Sequence, residues 1–337
     1  MEKRIAVIFT GGTIGSVTRE GVIGLDEGAP DLLLEQYTKR YGDKREFKKY
    51  YPVSVLSENM TPYEFGKIAE CVSLAAKEED VAGIILTHGT DTLTFTANAL
   101  AVMFSDISVP VVIVSSFKPL TEGGNGVQNF KAAVDFISLE IPGVFVAYQN
   151  FKEPMRIHLG ARLAETEQLT GRVSSIGNLH FASLEGGRFV LNSSPKNVSL
   201  KSLTEPKKPS GLTSLSTDVV TVVPHTGTDF EYYLLKERIP RAYVIKLYHS
   251  GTCSGVSGKF GVMKFIERAR EEGSEVVLAP FPSGMAKYES SGGIFDKALI
   301  ATDISFEMCV VKVMLALGSG VGVSEALSRN YAFEKLI

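Results

Sequence analysis

Two apolar runs, Ile5-Ala6-Val7-Ile8-Phe9 and Val81-Ala82-Gly83-Ile84-Ile85-Leu86, each end in a short polar turn: Thr10-Gly11-Gly12-Thr13-Ile14-Gly15 and Thr87-His88-Gly89-Thr90-Asp91-Thr92. Neither run alternates apolar with polar residues, so each suits a strand covered on both faces, as in parallel sheets lined by helices. Strand patterns at 109–116 and 143–148 follow, and helical patterns intervene at 62–79, 91–105 and 127–140. This alternation predicts an α/β fold with a mostly parallel sheet flanked by helices. Open sheets of this kind bind ligands beyond the carboxyl ends of their strands. Both threonine turns lie at such ends, so the pattern predicts that they face one crevice.

The helix beginning at Pro62 carries its own start signal: Thr61 as cap, proline at the first position and Glu64 completing a capping box. Between residues 192 and 217 the composition shifts to prolines, serines and lysines, which reads as a surface linker. Beyond it the alternation resumes with strand patterns at Val219–Val223, Ala242–Leu247 and Val276–Ala279 and helical ones at 258–272, 306–317 and 323–336. The expected organisation is therefore an N-terminal α/β catalytic domain over 1–191, the linker, and a smaller C-terminal α/β domain over 218–337.

With 35 basic and 38 acidic side chains the formal charge is −3, so no basic surplus points to nucleic acid or an acidic membrane. No apolar run reaches the ~18 residues of a membrane span. The opening Met1-Glu2-Lys3-Arg4 leads straight into a strand without the layout of a signal peptide, and three scattered cysteines suit reduced thiols, which together predict a cytoplasmic protein. No dinucleotide or P-loop glycine pattern is present, and the five histidines lack zinc-hydrolase spacing, so neither a metal nor an organic cofactor is expected. A small polar molecule is the default substrate.

The glycine pair before Thr13 allows a tight turn and close approach of a ligand to the main chain. Taken alone, this turn is as well read as structural. Thr90 and Asp91 fall where a helix should start, whose free N–H groups favour an anion; equally, Asp91 or Thr92 could simply cap that helix. Together the turns suggest more. A threonine hydroxyl attacks a carbonyl only when a partner removes its proton, and Thr90 with Asp91 and a nearby cation would supply such a group.

Both strings closely resemble the active-site signatures of bacterial-type L-asparaginases and their glutaminase and amidase relatives. That resemblance implies that Thr13 is the nucleophile, acylated by a side-chain amide carbonyl with release of ammonia. It implies that Thr90 assists proton transfer and that Asp91 holds the substrate's α-amino group. The segment from Leu56 to Thr61 resembles the substrate-binding turn, with Ser57 and Glu58 gripping the α-carboxylate and α-amino ends. The resemblance further implies that Gly12 and Gly89 line the same site and that the strand end from Ile113 to Pro119 closes it, with a backbone contact from Ser116. Relatives assemble as homodimers or homotetramers, and the same is expected here.

Three departures accompany the resemblance. An ungapped alignment of the stretch after Gly160 puts Glu165 where the family carries its catalytic lysine. Either Arg162, Arg156 or Lys118 supplies the positive charge from a shifted register, or Glu165 serves as a tuned base, or the site binds an amino acid without hydrolysing it. Asn125 stands where an aspartate is usual. Ser16 to Pro30 contains no tyrosine to orient the nucleophile, leaving Tyr288 and Glu289 as distant alternatives. The expected function is L-asparagine hydrolysis; the alternatives are a non-hydrolytic amino-acid-binding or regulatory homologue, and an amidase for glutamine or a tRNA-linked amide.

Overall fold

The computed structural model describes residues 3–234 and 238–336 and divides into two compact units, Met1–Ser210 and Gly211–Ile337. The division falls inside the proline- and serine-rich stretch. Its earlier part belongs to the first unit, where Leu203 is buried and Ser210 Oγ donates to Met103 O. Its later part belongs to the second, where Ser216 N–H donates to Met314 O.

In the first unit β1 (Arg4–Ile8) is followed by a hairpin, β2 (Ser16–Arg19) and β3 (Val22–Leu25), then α1 (Ala29–Tyr41), β4 (Phe47–Tyr50), α2 (Pro62–Ala75), β5 (Val81–Thr87), α3 (Leu93–Met103) and β6 (Pro110–Val114). There follow α4 (Gly126–Ile137), β7 (Gly143–Gln149), β8 (Met155–Leu159), β9 (Ala182–Glu185), β10 (Arg188–Leu191) and α5 (Leu200–Thr204). Eight strands form one sheet in the order β10-β9-β8-β7-β6-β5-β1-β4. The block β4-β1-β5-β6-β7 is parallel, and β8, β9 and β10 add on antiparallel. Ile8, Ile84, Ile85, Leu86 and Val111 to Val114 are fully enclosed, which is why these runs carry no polar alternation. The capping box expected at α2 is present, with Tyr63 N–H donating to Thr61 Oγ1 and Thr61 N–H to Glu64.

The second unit is a four-stranded parallel sheet, β11 (Val219–Val222), β12 (Ala242–Lys246), β13 (Glu275–Phe281) and β14 (Leu299–Thr302), with α6 (Val262–Glu271), α7 (Phe306–Gly318) and α8 (Val323–Ser328). Tyr243, Ile245, Phe265, Ile266 and Leu278 share its core. The helical pattern at 323–336 stops early, because past Ser328 a side chain replaces the helical bonds. Buried Glu334 accepts the N–H groups of Tyr331 and Ala332 and pairs with buried Lys312 at 2.7 Å. Among the described residues no helix is long and apolar enough to cross a membrane.

Candidate active site

The two threonine turns meet. At their bases the side chains of Thr10 and Thr87 extend the β1–β5 ladder: Thr10 N–H donates to Thr87 Oγ1 at 3.2 Å, and Thr10 Oγ1 donates to Thr87 O at 2.6 Å. One step further, Gly12 (φ 70°) lies so close to the second turn that a β-carbon on it would come within 2.2 Å of Gly89 N. Only glycine tolerates both that dihedral and that approach. Gly89 is crowded in turn by Ser57, whose Oγ would lie 2.3 Å from a β-carbon there. Three segments remote in sequence thus share one point.

Thr13 opens a 3-10 turn, Thr13–Gly15, and is half-buried. Gly12 O accepts from both Gly15 N–H, at 2.9 Å, and Ser16 Oγ, at 2.7 Å. Thr90 is also half-buried, and Asp91 is exposed. Neither Asp91 nor Thr92 is bonded as a side-chain cap of α3. Instead Thr92 Oγ1 donates to Ser57 O at 2.8 Å, and Ser57 Oγ stands 3.3 Å from both Asp91 Oδ2 and Asp91 N. Ser57 is buried at the start of a second 3-10 turn, Ser57–Asn59, while Glu58 beside it is exposed.

His88 is fully enclosed. Its Nδ1 lies 2.8 Å from Gly89 O, which can only accept, so Nδ1 carries the proton and Nε2 accepts from Thr96 Oγ1 at 2.9 Å. Burial pushes its pKa below the usual histidine value, and the ring is neutral near pH 7.

Ser116 is buried, and its hydroxyl donates to Lys118 O at 2.5 Å. Asn125 bridges two loops: its Oδ1 accepts from Phe117 N–H at 3.0 Å and its Nδ2 donates to Gln149 O at 2.7 Å. An aspartate could not make the second bond. Asn129 does the same work one turn on, joining Ser115 O to Gln149 N–H.

Glu165 is exposed, in a segment fastened to the start of α3: Thr94 Oγ1 donates to Ala164 O at 2.7 Å, and Thr166 Oγ1 to Thr90 O at 3.2 Å. Two of the suggested cations are engaged elsewhere. Arg156 pairs with Glu153 at 3.0 Å, and Arg162 donates to Lys196 O at 2.8 Å. Lys118 is exposed, as are Tyr288 and Glu289 in the second unit. Sequence reasoning misses Thr166 and Ser16, whose only signal is a hydroxyl close to a motif.

Residues 4–194 match the family model described as Asparaginase, N-terminal. The chain belongs to the asparaginase family. It is an amidohydrolase by that membership. It is 27% identical to the L-asparaginase of Thermococcus kodakarensis over 340 residues, covering 98% of each protein. It is also 32% identical to a glutamyl-tRNA(Gln) amidotransferase subunit of Saccharolobus solfataricus, over 53% of this chain and 38% of that one. Its fold is that of asparaginase structures. The thermostable L-asparaginase of T. kodakarensis superposes with a TM-score of 0.79 at 24% identity, covering 98% of this chain and 99% of that one. L-asparaginase I of Vibrio cholerae does so at 0.76 and 20%, covering all of both chains.

Proposed function

We propose that this asparaginase-family chain hydrolyses L-asparagine to L-aspartate and ammonia, with Thr13 as the nucleophile. The observation that supports the reading is the close approach of Gly12 to the Gly89 backbone, which brings the two threonine turns together. The Thr13 oxygen adds to the side-chain amide carbonyl, the C–N bond breaks, and ammonia leaves with the proton delivered to its nitrogen. Water then cleaves the threonyl ester and restores the hydroxyl. Asp91 holds the α-amino group, and Ser57 and Glu58 complete the grip on the two charged ends of the substrate. For the proton of Thr90 the reading assigns Glu165, because the residues on either side of it are bonded to α3 and to Thr90 itself.

Thr13→Ala should lower ammonia release about a thousandfold or more while aspartate still binds in calorimetry. Retention of most turnover would remove Thr13 from the mechanism. Glu165→Gln should lower kcat if the carboxylate takes the proton, and an unchanged kcat would end that assignment. Similarity to the amidotransferase chain favours a second reading, an amidase for glutamine or for a tRNA-linked amide. Parallel rates with asparagine and glutamine distinguish the two, and a chain that binds aspartate without releasing ammonia from either is a binding homologue instead. The reading also places the protein in the cytoplasm, in keeping with its likeness to a structure described as a probable cytoplasmic L-asparaginase from Campylobacter jejuni. It further makes the chain a homodimer or homotetramer, which sedimentation would resolve.

A further inference from the structure

The peptide group joining Thr90 to Asp91 is gripped at both ends by hydroxyls from distant parts of the chain. Its carbonyl oxygen accepts from Thr166 Oγ1 at 3.2 Å, and its N–H donates to Ser57 Oγ at 3.3 Å. The carbonyl's other donor, Leu93 N–H, is further away at 3.4 Å. Thr166 is itself well anchored. Ala164, two residues before it, takes a bond from Thr94 Oγ1 and donates to Ser174 O at 2.9 Å. Leu163 and Ser175 pair antiparallel, and the arm returning to Ser175 is tied at Val173 to both ends of the Asn150 amide, while next to it Arg172 Nε reaches Glu153 at 2.8 Å.

We infer that Thr166 is a positioning residue for the reaction: by holding the Thr90 carbonyl it fixes where the Thr90 hydroxyl stands relative to Asp91. The inference rests on the roles given above to Thr90 and Asp91. A peptide plane can turn about the bonds to its two flanking α-carbons, and such a turn swings the side chains it joins. Fixed at both ends, it cannot. Without the Thr166 hydroxyl the carbonyl end keeps only its long helical contact, whereas Asp91 stays bound to Ser57 through both its N–H and its carboxylate. Loosening therefore falls on Thr90, which handles the proton, more than on Asp91, which holds substrate.

Thr166→Val removes the hydroxyl at nearly constant shape, and Thr166→Ser restores it. In the full-length protein, kcat for ammonia release from asparagine should fall about tenfold in the valine variant with KM within about twofold, and return to within about threefold in the serine variant. Amide hydrogen exchange at Asp91 and Leu93 should quicken in the valine variant and not in the serine one. Should the valine chain fail to fold, Thr166→Ala carries the same comparison. An unchanged kcat, or a raised KM at unchanged kcat, overturns the positioning role. Equal exchange in wild type and valine variant overturns the clamp itself. A wild type that releases ammonia from neither asparagine nor glutamine sinks the functional assignment instead, and the exchange result then decides alone whether the clamp exists.

Discussion

Thr13 and Thr90 stand at the ends of neighbouring strands, yet different forces hold their turns. Around Thr13 the bonds are mostly main-chain: Gly12 N–H to Val55 O at 3.0 Å, Gly15 N–H to Gly12 O, and Asp26 N–H to Gly15 O at 3.1 Å, with one nearby hydroxyl from Ser16. Around Thr90 they come from side chains far away in sequence, Ser57 and Thr166, and from the buried ring of His88. The first turn is fixed by backbone shape and the second by a polar network. Under the function proposed above, the nucleophile gains from a turn fixed by its backbone, and the proton-handling group from polar neighbours that also set its environment.

That contrast is most easily broken at the glycines. Gly12→Ala would force a β-carbon into the Gly89 backbone at a dihedral costly for alanine, and neither backbone can yield without moving its strand. We expect a loss of more than about 3 kcal/mol in urea unfolding and no measurable turnover. Gly89→Ala carries no such dihedral cost and meets Ser57 instead, its Oγ at 2.3 Å and its β-carbon at 2.7 Å; the oxygen can rotate away, but the β-carbon yields only if the Ser57 turn shifts. Its stability cost should be smaller, and its mark should be a rise in KM as Ser57 leaves Asp91. Equal stability losses in the two variants would mean that both turns are held alike.

How far these turns can be read from sequence follows from the same difference. The glycine-built turn and its strand are legible because their determinants are local: the apolar run of β1, the glycine pair and Thr13 lie within a short stretch of chain. The capping box of α2 is legible for the same reason. The antiparallel strands β8, β9 and β10 are not, since Met155–Leu159 mixes arginine and histidine with apolar residues and pairs with β7 through contacts that no local pattern announces. Nor is β14, whose four residues are too few to show a period. At the site, Thr166 is invisible because its partner is the carbonyl of a residue 76 positions away. Asn125 reads in the sequence as a missing charge, when its amide nitrogen is what the Gln149 carbonyl requires.

Asn125→Asp sharpens that last point. The carboxylate keeps the bond from Phe117 N–H but sets oxygen against the Gln149 carbonyl, in a place where Asn125 is only 6% exposed. The expected loss is about 2 kcal/mol in urea unfolding, easing at acid pH as the carboxyl takes up a proton. A fully stable variant would show that the Nδ2 bond contributes nothing and that the asparagine is there for charge alone.

The smallest effect concerns pH and reaches the Thr90 turn through His88. Burial holds this ring neutral in the folded chain, and it pushes the equally enclosed His158 down to about 3. In the unfolded chain both rings would protonate near their ordinary value, so below it the unfolded state binds more protons and folding stability falls as pH falls. The contribution is full well above pH 6.5 and shrinks as pH falls through that value, by about 0.7 kcal/mol between pH 7 and pH 6 for His158 and in the same direction for His88. Locally, an opening of the Thr90 turn that frees the ring from Thr96 lets His88 take up a proton, so falling pH favours that opening. Amide exchange at Asp91 and Leu93, whose N–H groups are held by Ser57 Oγ and the Thr90 carbonyl, corrected for its intrinsic pH dependence, should therefore quicken toward pH 6 relative to Gly15, whose N–H is held by the Gly12 carbonyl. If the two turns loosen in step, acid is acting through global unfolding and His88 does not set the second turn apart.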